Sequence, residues 1–336
     1  MEKRPVTIKH LAKKLNISVS TVSRALRNVT DINPETKQQV LQLAKELNYE
    51  PNFMAQSLVR RKTRIIGVIV PAIHSDYFSQ ALGGMTDVAI QHDYHVMFCQ
   101  SNETYKQEVS SVRKLVSCNI DGLLISVSKE TMDAVELRKV KEKGLPVVMF
   151  DRILPDFDCN KVIVDEYNGA FKAVEHLIRK GCRRIVHIAG PEGLSISVNR
   201  LNGYLDALRK HRLTVDDRLI FRTKAFEEDA LPLIRKIARL DPLPDAVFAI
   251  NDKTAVLALK YLREHDISVP DDIRVAGFND DPISEVVEPS LTTVMQPGYE
   301  VGKLAMGILI DEIGNGSKKT VTVRLKTRLI IRNSSR

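Results

Sequence analysis

Polar side chains follow several apolar segments that have the length of a β-strand. The polar residues at these positions include His74, Asp76, Asp151, Asn251 and Asp280. Carboxylate, amide and imidazole groups can hydrogen-bond the hydroxyl groups of a small polar molecule. Acidic residues also cap helices at such positions, which is the alternative for each residue taken alone. Because ligands of doubly wound sheets bind beyond the carboxyl ends of the strands, the recurrence of these residues predicts a binding site.

Eight apolar, strand-like segments alternate with amphipathic helical segments after residue 64. They comprise residues 65–70, 94–99, 122–126, 147–150, 162–164, 185–188, 246–250 and 275–278. Continuous apolar strands between helices indicate parallel sheets that are buried on both faces. These units exceed one open sheet of common size, so we expect two α/β lobes, with a first crossing between them at residues 151–160.

Positive charge is concentrated near the N-terminus. Residues 1–64 hold 13 Lys and Arg against 5 Asp and Glu, and this excess equals the formal net charge of +8 of the whole chain. A compact basic segment favours an anionic partner, and nucleic acid is the first candidate because Lys and Arg release counterions from phosphates. A membrane surface is the alternative. The sequence has no apolar run of about 18 residues and no signal segment at its start, so we expect a cytoplasmic protein.

Three short helices are predicted in the basic segment, with a tight turn at residues 16–17 between the first two. Thr7, Ser18 and Asn33 can cap the first, second and third helix, and Pro34 can open the third. His10 stands where a capping box would have an acid. The three apolar stripes consist of Ile8, Leu11, Ala12 and Leu15, of Val22, Ala25 and Leu26, and of Val40, Leu41, Ala44 and Leu47. A small interaction bundle is the alternative interpretation of this pattern.

Three ordered motifs decide between these interpretations. VTIKHLA at 6–12, NISVSTVSRAL at 16–26 and LNYEPN at 47–52 resemble the lactose/galactose repressor (LacI/GalR) family of bacterial transcription regulators. The resemblance implies an all-α helix-turn-helix head and an α/β periplasmic-binding-protein-like (type I) sensor with two doubly wound parallel-sheet lobes. It also implies a sequence-specific DNA-binding regulator, commonly a repressor, whose operator affinity is controlled allosterically by a small polar effector. A sugar or sugar derivative is the expected effector, and a nucleobase is the alternative.

The resemblance assigns DNA contacts by position, because the second helix of this family enters the major groove. Residues expected to read bases are Val19, Ser20 and Arg24, and residues expected to hold phosphates are Thr7, Ser18, Thr21, Ser23 and Asn28. Asn52, Ala55 and Leu58 are expected to face the minor groove, with Leu58 wedged between base pairs. The alternative for Leu58 is that it covers the surface of the sensor.

The resemblance also implies effector contacts. Arg200, which precedes a Gly-Tyr pair, is expected to reach the ligand, and Phe226 is expected to stack on it. Phe78 lies in the polar segment after the first strand, and Asn279 stands where the family often has an acid. The predicted effector-binding residues are therefore His74, Asp76, Phe78, Asp151, Arg200, Phe226, Asn251 and Asp280.

Domain boundaries follow from charge, pattern and resemblance together. The helix-turn-helix domain is expected at 1–50, a hinge helix and basic linker at 51–64, and the effector-binding domain at 65–336. Because the family's chain crosses the hinge three times, the N-lobe is expected at about 65–161 and 291–320, and the C-lobe at about 162–290 and 321–332. We expect a homodimer on near-palindromic double-stranded DNA. The tail at 328–336 is too short for the heptads of a tetramer.

Known catalytic motifs are absent from the sequence. It contains no dinucleotide-binding, P-loop, zinc-protease or serine-nucleophile pattern, and its eight histidines are scattered singly. The four cysteines have no CxxC spacing and are interpreted as reduced thiols. We therefore expect no metal, no cofactor and no enzymatic activity. The alternative is a cytosolic ligand-binding protein or an enzyme that acts on the same small molecule.

Overall fold

The computed structural model describes residues 6–26, 32–49, 62–316 and 319–336. The chain divides into two compact units, Met1–Thr63 and Arg64–Arg336. Four residues with predicted DNA contacts lie outside the described residues, namely Asn28, Asn52, Ala55 and Leu58.

The described residues of the first unit form a bundle of three helices. They are α1 (Ile8–Leu15), α2 (Val19–Leu26) and α3 (Pro34–Glu46). Leu11, Val22 and Val40 are fully buried where the helices meet. The prediction for Leu41 is wrong, because its side chain is 46% exposed and Leu43 packs on the core instead. With a helical period of 3.6 residues, Leu43 lies on the same face of the helix as Val40. Leu41, which directly follows Val40, lies outside that face.

Caps begin the helices where the sequence predicts them. The backbone N–H of Thr7 donates to His10 Nδ1 at 3.1 Å, so an imidazole replaces the acid of the capping box. Ser18 Oγ accepts the backbone N–H three residues further on, at 3.0 Å. Asn33 Oδ1 accepts the backbone N–H two residues further on, at 2.8 Å. These bonds satisfy N–H groups that the first turn of a helix leaves without partners.

The second unit contains two parallel sheets, one in each lobe. The first-lobe sheet consists of β1 (Ile65–Val70), β2 (His95–Gln100), β3 (Gly122–Ile125), β4 (Val147–Phe150), β5 (Asn160–Val164) and β11 (Thr322–Leu325). The strand order is β11-β5-β4-β3-β1-β2, and all of these pairs are parallel. The helices of this lobe are α4 (Asp76–Gln91), α5 (Tyr105–Ser117), α6 (Val135–Glu142) and α12 (Gly298–Asn315).

The second-lobe sheet has four strands in the order β7-β6-β8-β9. They are β6 (Ile185–Ala189), β7 (Ile220–Arg222), β8 (Ala246–Ala249) and β9 (Arg274–Ala276), and a separate antiparallel pair is formed by β10 (Thr293–Met295) and β12 (Arg328–Ile330). The helices are α7 (Glu166–Arg179), α8 (Ser195–Lys210), α9 (Ala230–Ile237), α10 (Asp252–Arg263) and α11 (Ile283–Val286). Short 3-10 turns occur at Asp217–Leu219, Phe226–Asp229 and Asn333–Ser335.

Three crossings connect the lobes, but they differ from the predicted boundaries. β5 pairs with β4 and β11, so both β5 and β11 belong to the first lobe rather than the second. The first crossing therefore follows β5 instead of lying at 151–160. β10 pairs with β12 in the second lobe, which places the second crossing after Met295 rather than before residue 291. A short apolar strand carries no signal of which sheet it joins, because only its pairing partners determine this.

Each sheet separates two apolar cores. In the first lobe, Val68 and Phe150 pack with α4 and α12, whereas Ile69 and Met149 pack with α5 and α6. In the second lobe, Phe248 is buried on the side of α7 and α8. Because successive strand residues point to opposite faces, strands that are covered on both sides are apolar throughout. Within the described ranges, no helix combines the length and apolar character needed to span a membrane.

Glycines allow α4 and α12 to pack closely. A Cβ atom at Gly302 would collide with the carbonyl oxygen of Ala81, and one at Gly84 would collide with that of Tyr299. By contrast, a Cβ atom at Gly307 on α12 would meet open space. The contact between these helices therefore depends on particular glycines, and it fixes the position of α4, the helix that follows β1 in the chain.

Candidate functional site

The outward face of α2 in the first unit carries short polar side chains and one arginine. All predicted DNA contacts within the described residues are exposed or half-buried, namely Thr7, Ser18, Val19, Ser20, Thr21, Ser23 and Arg24. Ser18 Oγ lies 2.6 Å from Ser20 Oγ and 2.8 Å from Thr21 Oγ1, which forms a hydroxyl cluster at the N-terminal end of α2. The positive end of a helix dipole favours anions at this position.

In the second unit, a cavity of about 130 Å³ lies in the cleft between the two lobes. Six of the eight predicted effector residues line this cleft, namely His74, Phe78, Asp151, Arg200, Phe226 and Asn251. The first three belong to the first lobe and the last three to the second. A molecule bound here would therefore contact both lobes at the carboxyl ends of their strands.

Asp76 and Asp280, which were also predicted, lie outside the lining of this cleft. Asp76 accepts a hydrogen bond at 2.6 Å from a glutamine side chain one turn further along α4. Asp280 forms an ion pair with Arg332 Nη1 at 2.8 Å, and Asp281 lines the cleft instead. Asn279 and Asp280 both have positive φ angles, 128° and 63°. In this turn Asn279 and Asp281 line the cleft, whereas the side chain of Asp280 between them contacts Arg332.

Arg200 extends from α8 into the cleft and is 3% exposed. Its Nε donates to Glu166 Oε2 at 2.6 Å, and its Nη1 donates to the carbonyl oxygen of Ile250. The guanidinium carbon lies 3.7 Å from the centre of the Phe278 ring. These contacts hold the side chain in one orientation. Because a guanidinium has five N–H donors, it keeps capacity to donate to a ligand as well.

Asp151 follows β4 with a φ angle of 59°, in the left-handed region. Its carboxylate is buried, and Ser126 Oγ donates to its Oδ2 at 3.3 Å. Burial raises the pKa of Asp151 to about 6, although the positive charges of Arg152 and Arg200 oppose this shift. A carboxyl group with this pKa can change its protonation state when a bound ligand alters the polarity and charge around it.

Arg152 forms part of the cleft wall between the lobes. Its Nη1 donates to both carboxylate oxygens of Glu103 at 2.8 Å. The guanidinium carbon lies 5.2 Å from the centre of the Phe226 ring in the second lobe and 5.9 Å from that of Phe78 in the first. Phe226 has a φ angle of 54°, which is uncommon for an aromatic residue. A cation–π contact thus connects the two sides of the cleft.

Two acids adjoin each other in the second lobe. The carboxylate of Asp252 accepts hydrogen bonds from the Asp281 backbone N–H at 2.8 Å, from Ser284 Oγ at 2.9 Å and from Thr293 Oγ1. Burial and the negative charge of Asp252 raise the pKa of Asp281 to about 7. Asp281 can therefore present a hydroxyl donor or a carboxylate acceptor to the cleft near neutral pH.

Sequence reasoning missed several residues of the cleft lining. Polar lining residues outside the predicted set include Glu103, Lys129, Arg152, Asp281 and Gln296. Arg152 and Asp281 belong to the polar segments that follow β4 and β9, but only Asp151 and Asp280 of these segments were predicted as effector contacts. Gln296 follows the unpredicted strand β10, and its amide lies 3.2 Å from both Glu166 Oε1 and Arg200 Nη2. The sequence carries no local signal for it.

Comparison with known proteins agrees with this architecture. Residues 7–52 match the family of bacterial regulatory proteins, lacI family, and residues 174–335 match the periplasmic binding protein-like domain family. The chain is 33% identical over 337 residues to the HTH-type transcriptional repressor CytR of Escherichia coli (strain K12), covering 98% of this chain and 96% of CytR. A helix-turn-helix head with a two-lobed, cleft-containing body defines a ligand-responsive DNA-binding regulator. The chain belongs to the LacI family of bacterial transcription regulators.

Solved structures share the fold over nearly the whole chain. The complex of the transcriptional regulator CelR with cellobiose has a TM-score of 0.76 at 27% identity and covers 98% of this chain and 100% of that chain. The Lac repressor dimer bound to operator and the anti-inducer ONPF has a TM-score of 0.86 at 23% identity and covers 99% of both chains. The predicted family and fold class are confirmed.

Proposed function

We propose that this LacI-family regulator represses transcription as a homodimer on a near-palindromic operator, and that a sugar or sugar derivative bound in the cleft changes its affinity for DNA. The observation that carries this proposal is the convergence of Asp151 from the first lobe and Arg200 from the second on one cleft. Because a ligand held by both residues favours one arrangement of the lobes, its binding energy can shift a conformational equilibrium.

The outward face of α2 is proposed to read the operator. Val19, Ser20 and Arg24 are exposed there, and the hydroxyls of Ser18 and Thr21, which lie 2.8 Å apart, support phosphate contacts beside them. An arginine that binds guanine with two hydrogen bonds discriminates against other bases by about 1 to 3 kcal/mol. The roles of Thr7, Ser23, Asn28, Asn52, Ala55 and Leu58 on DNA belong to the same proposal.

A role in the cytoplasm without cofactor or catalysis completes the proposal. The HTH-type transcriptional repressor CytR, which matches along almost the full length of the chain, supports a regulator rather than an enzyme. Incubation of the purified protein with candidate sugars, followed by chromatography, checks this point. We expect the sugars to be recovered unchanged, whereas a time-dependent product would reveal an enzyme.

Coupled binding tests the proposed regulation. Sugars that raise the unfolding temperature of the protein would first be identified, since ligand binding to the native state raises stability. Operator affinity would then be titrated with and without the sugar, and sugar affinity with and without the operator. We expect the two ratios to be equal, because thermodynamic linkage makes the coupling reciprocal. Identical operator affinity with and without every bound sugar would refute the coupling.

A further inference from the structure

We propose that Gln296 is a positioning residue that couples Arg200 in the cleft to the crossings between the lobes, and thereby to the affinity for DNA. The inference rests on the proposed function of the cleft as an effector site and specifies how that site acts on the rest of the protein. Three observations carry it: Gln296 lies on a crossing, its amide contacts a buried ion pair, and its crossing continues into a closely packed helix.

The first observation is the position of Gln296 on the second crossing. It directly follows β10 of the second lobe, and one residue, Pro297, separates it from α12 of the first lobe. Gln296 is 5% exposed. Because the crossings are the covalent connections between the lobes, a change in the arrangement of the lobes alters the backbone there. Contacts that hold the Gln296 side chain therefore act directly on the arrangement of the lobes.

The second observation is that a buried ion pair contacts the Gln296 amide. Arg200 Nε donates to Glu166 Oε2 at 2.6 Å, and both side chains are 4% exposed. The amide oxygen of Gln296 accepts from Arg200 Nη2 at 3.2 Å, and its amide nitrogen donates to Glu166 Oε1 at 3.2 Å. The three side chains thus form a closed ring of hydrogen bonds. Hydrogen bonds in such a buried network strengthen one another.

Glu166 connects this ring to the other two crossings. It is the first residue of α7 and directly follows Asp165, which lies on the first crossing after β5. The carbonyl oxygen of Asp165 accepts from Thr327 Oγ1 at 3.3 Å, and Thr327 lies on the third crossing, between β11 and β12. Side-chain contacts therefore tie all three crossings together.

A ligand bound to Arg200 changes the balance within the ring. The guanidinium has five N–H donors, of which one each binds Glu166, the carbonyl oxygen of Ile250 and Gln296. Arg200 lines the cleft, so the remaining donors are available to a ligand there. A ligand oxygen that accepts from Arg200 competes with Gln296 for the guanidinium. This competition changes the free energy of one arrangement of the lobes relative to another.

The third observation is that the second crossing continues into a helix fixed in the first lobe. α12 begins at Gly298 and packs on α4 so closely that a Cβ atom at Gly302 would collide with the carbonyl oxygen of Ala81. Such tightly packed helices transmit a displacement instead of absorbing it. The first lobe also follows the helix-turn-helix unit directly in the chain. A shift at Gln296 thus reaches the lobe to which the DNA-binding head is joined.

A double-mutant cycle on the full-length chain tests the proposal. Gln296→Met keeps the length of the side chain but removes its hydrogen bonds, and Arg200→Lys keeps the charge but removes the Nη2 donor. The probe is duplex DNA that the unmodified chain selects from genomic fragments, and its affinity would be measured by fluorescence anisotropy without sugar. We expect each variant to change this affinity at least about fivefold in the same direction. The double variant should match Arg200→Lys within about twofold, because both substitutions open the same ring.

Controls separate this role from a structural one. Gln107→Met should leave the affinity for DNA unchanged, because Gln107 is an exposed glutamine on α5. Urea unfolding of each variant measures stability separately. Glu166→Gln, which opens the ring from its other side, replaces Arg200→Lys in the cycle if that variant does not fold.

Three results would overturn the proposal. Gln296→Met that lowers stability while leaving the affinity for DNA unchanged would show a purely structural residue. Additive changes in the double variant would show that Gln296 acts independently of Arg200. An unmodified chain that selects no duplex would instead refute the proposed function, and this inference with it.

Discussion

Replacement of Asp151 by asparagine is expected to stabilise the ligand-free protein at neutral pH. Burial raises the pKa of Asp151 from its ordinary value of 3.8 to about 6. The folded protein therefore holds a proton that the unfolded chain releases, and ionising the buried carboxyl above this pKa costs free energy. The pKa difference between the folded and unfolded states makes this cost about 3 kcal/mol at pH 7.5, since each pKa unit corresponds to about 1.4 kcal/mol. Asparagine avoids this cost because it does not ionise.

The pH dependence of the effect follows from the direction of the shift. Below pH 3.8 the carboxyl is protonated in both states, so the variant has no advantage from this source. The advantage grows as the pH rises from 3.8 to 6 and is complete above about 6. At pH 5 it should be about half of its value at pH 7.5. Asparagine also tolerates the left-handed backbone of residue 151 and can accept the hydrogen bond from Ser126.

Urea unfolding monitored by circular dichroism measures this difference. The unmodified chain, Asp151→Asn and the control Asp311→Asn would be compared at pH 7.5 and pH 5.0 without ligand. Asp311 is exposed on α12, so its replacement should change the free energy of unfolding by less than about 0.5 kcal/mol. A variant at Asp151 that is no more stable than the unmodified chain at pH 7.5, or equally stabilised at both pH values, would refute the reasoning.

Three further predictions follow from named contacts. Arg24→Ala should weaken binding to a selected operator by about 1 to 3 kcal/mol and binding to random duplex much less. Both affinities can be measured by fluorescence anisotropy, and an equal loss of affinity for the two duplexes would show that Arg24 contacts only phosphate. Gly302→Ala should lower the free energy of unfolding by about 2 kcal/mol or more, because its Cβ collides with the facing backbone. Its control, Gly307→Ala, should raise the free energy of unfolding by about 0.5 to 1 kcal/mol, because a Cβ atom there meets open space. Equal urea midpoints for the two variants would contradict the close packing described for Gly302. Arg200→Met should destabilise the protein by about 3 to 5 kcal/mol, since Glu166 stays buried without its partner; a calorimetric unfolding temperature unchanged from the unmodified chain would contradict this.

The head was predictable because its determinants are local. Caps at Thr7, Ser18 and Asn33 begin the helices, and apolar residues three or four positions apart form the core. The error at Leu41 is also local, since the core residues of α3 follow the i, i+3, i+4 and i+7 pattern of a helical face, which leaves out the position after Val40. Most strands of the body were predictable for a similar reason, because burial on both faces makes them apolar throughout.

The lobe boundaries and part of the cleft were not predictable in this way. β7, β10 and β12 have three residues each, which is too short for a periodic signal. Arg152 faces Phe226 only because of the turn at Asp151 and the brace from Glu103, which lies 49 residues earlier in the chain. Such long-range contacts determine the direction of a side chain, whereas the sequence pattern indicates only its approximate place.

Selective binding to duplex DNA is the most direct test of the central claim. Genomic fragments retained by the full-length protein at low ionic strength would be sequenced, and the recovered duplex would be titrated by fluorescence anisotropy beside a random duplex of equal length. We predict that the recovered duplex contains a near-palindromic site and binds at least about 10³-fold more tightly than the random one. No retention of duplex DNA, or equal affinity for the two duplexes, would contradict the account.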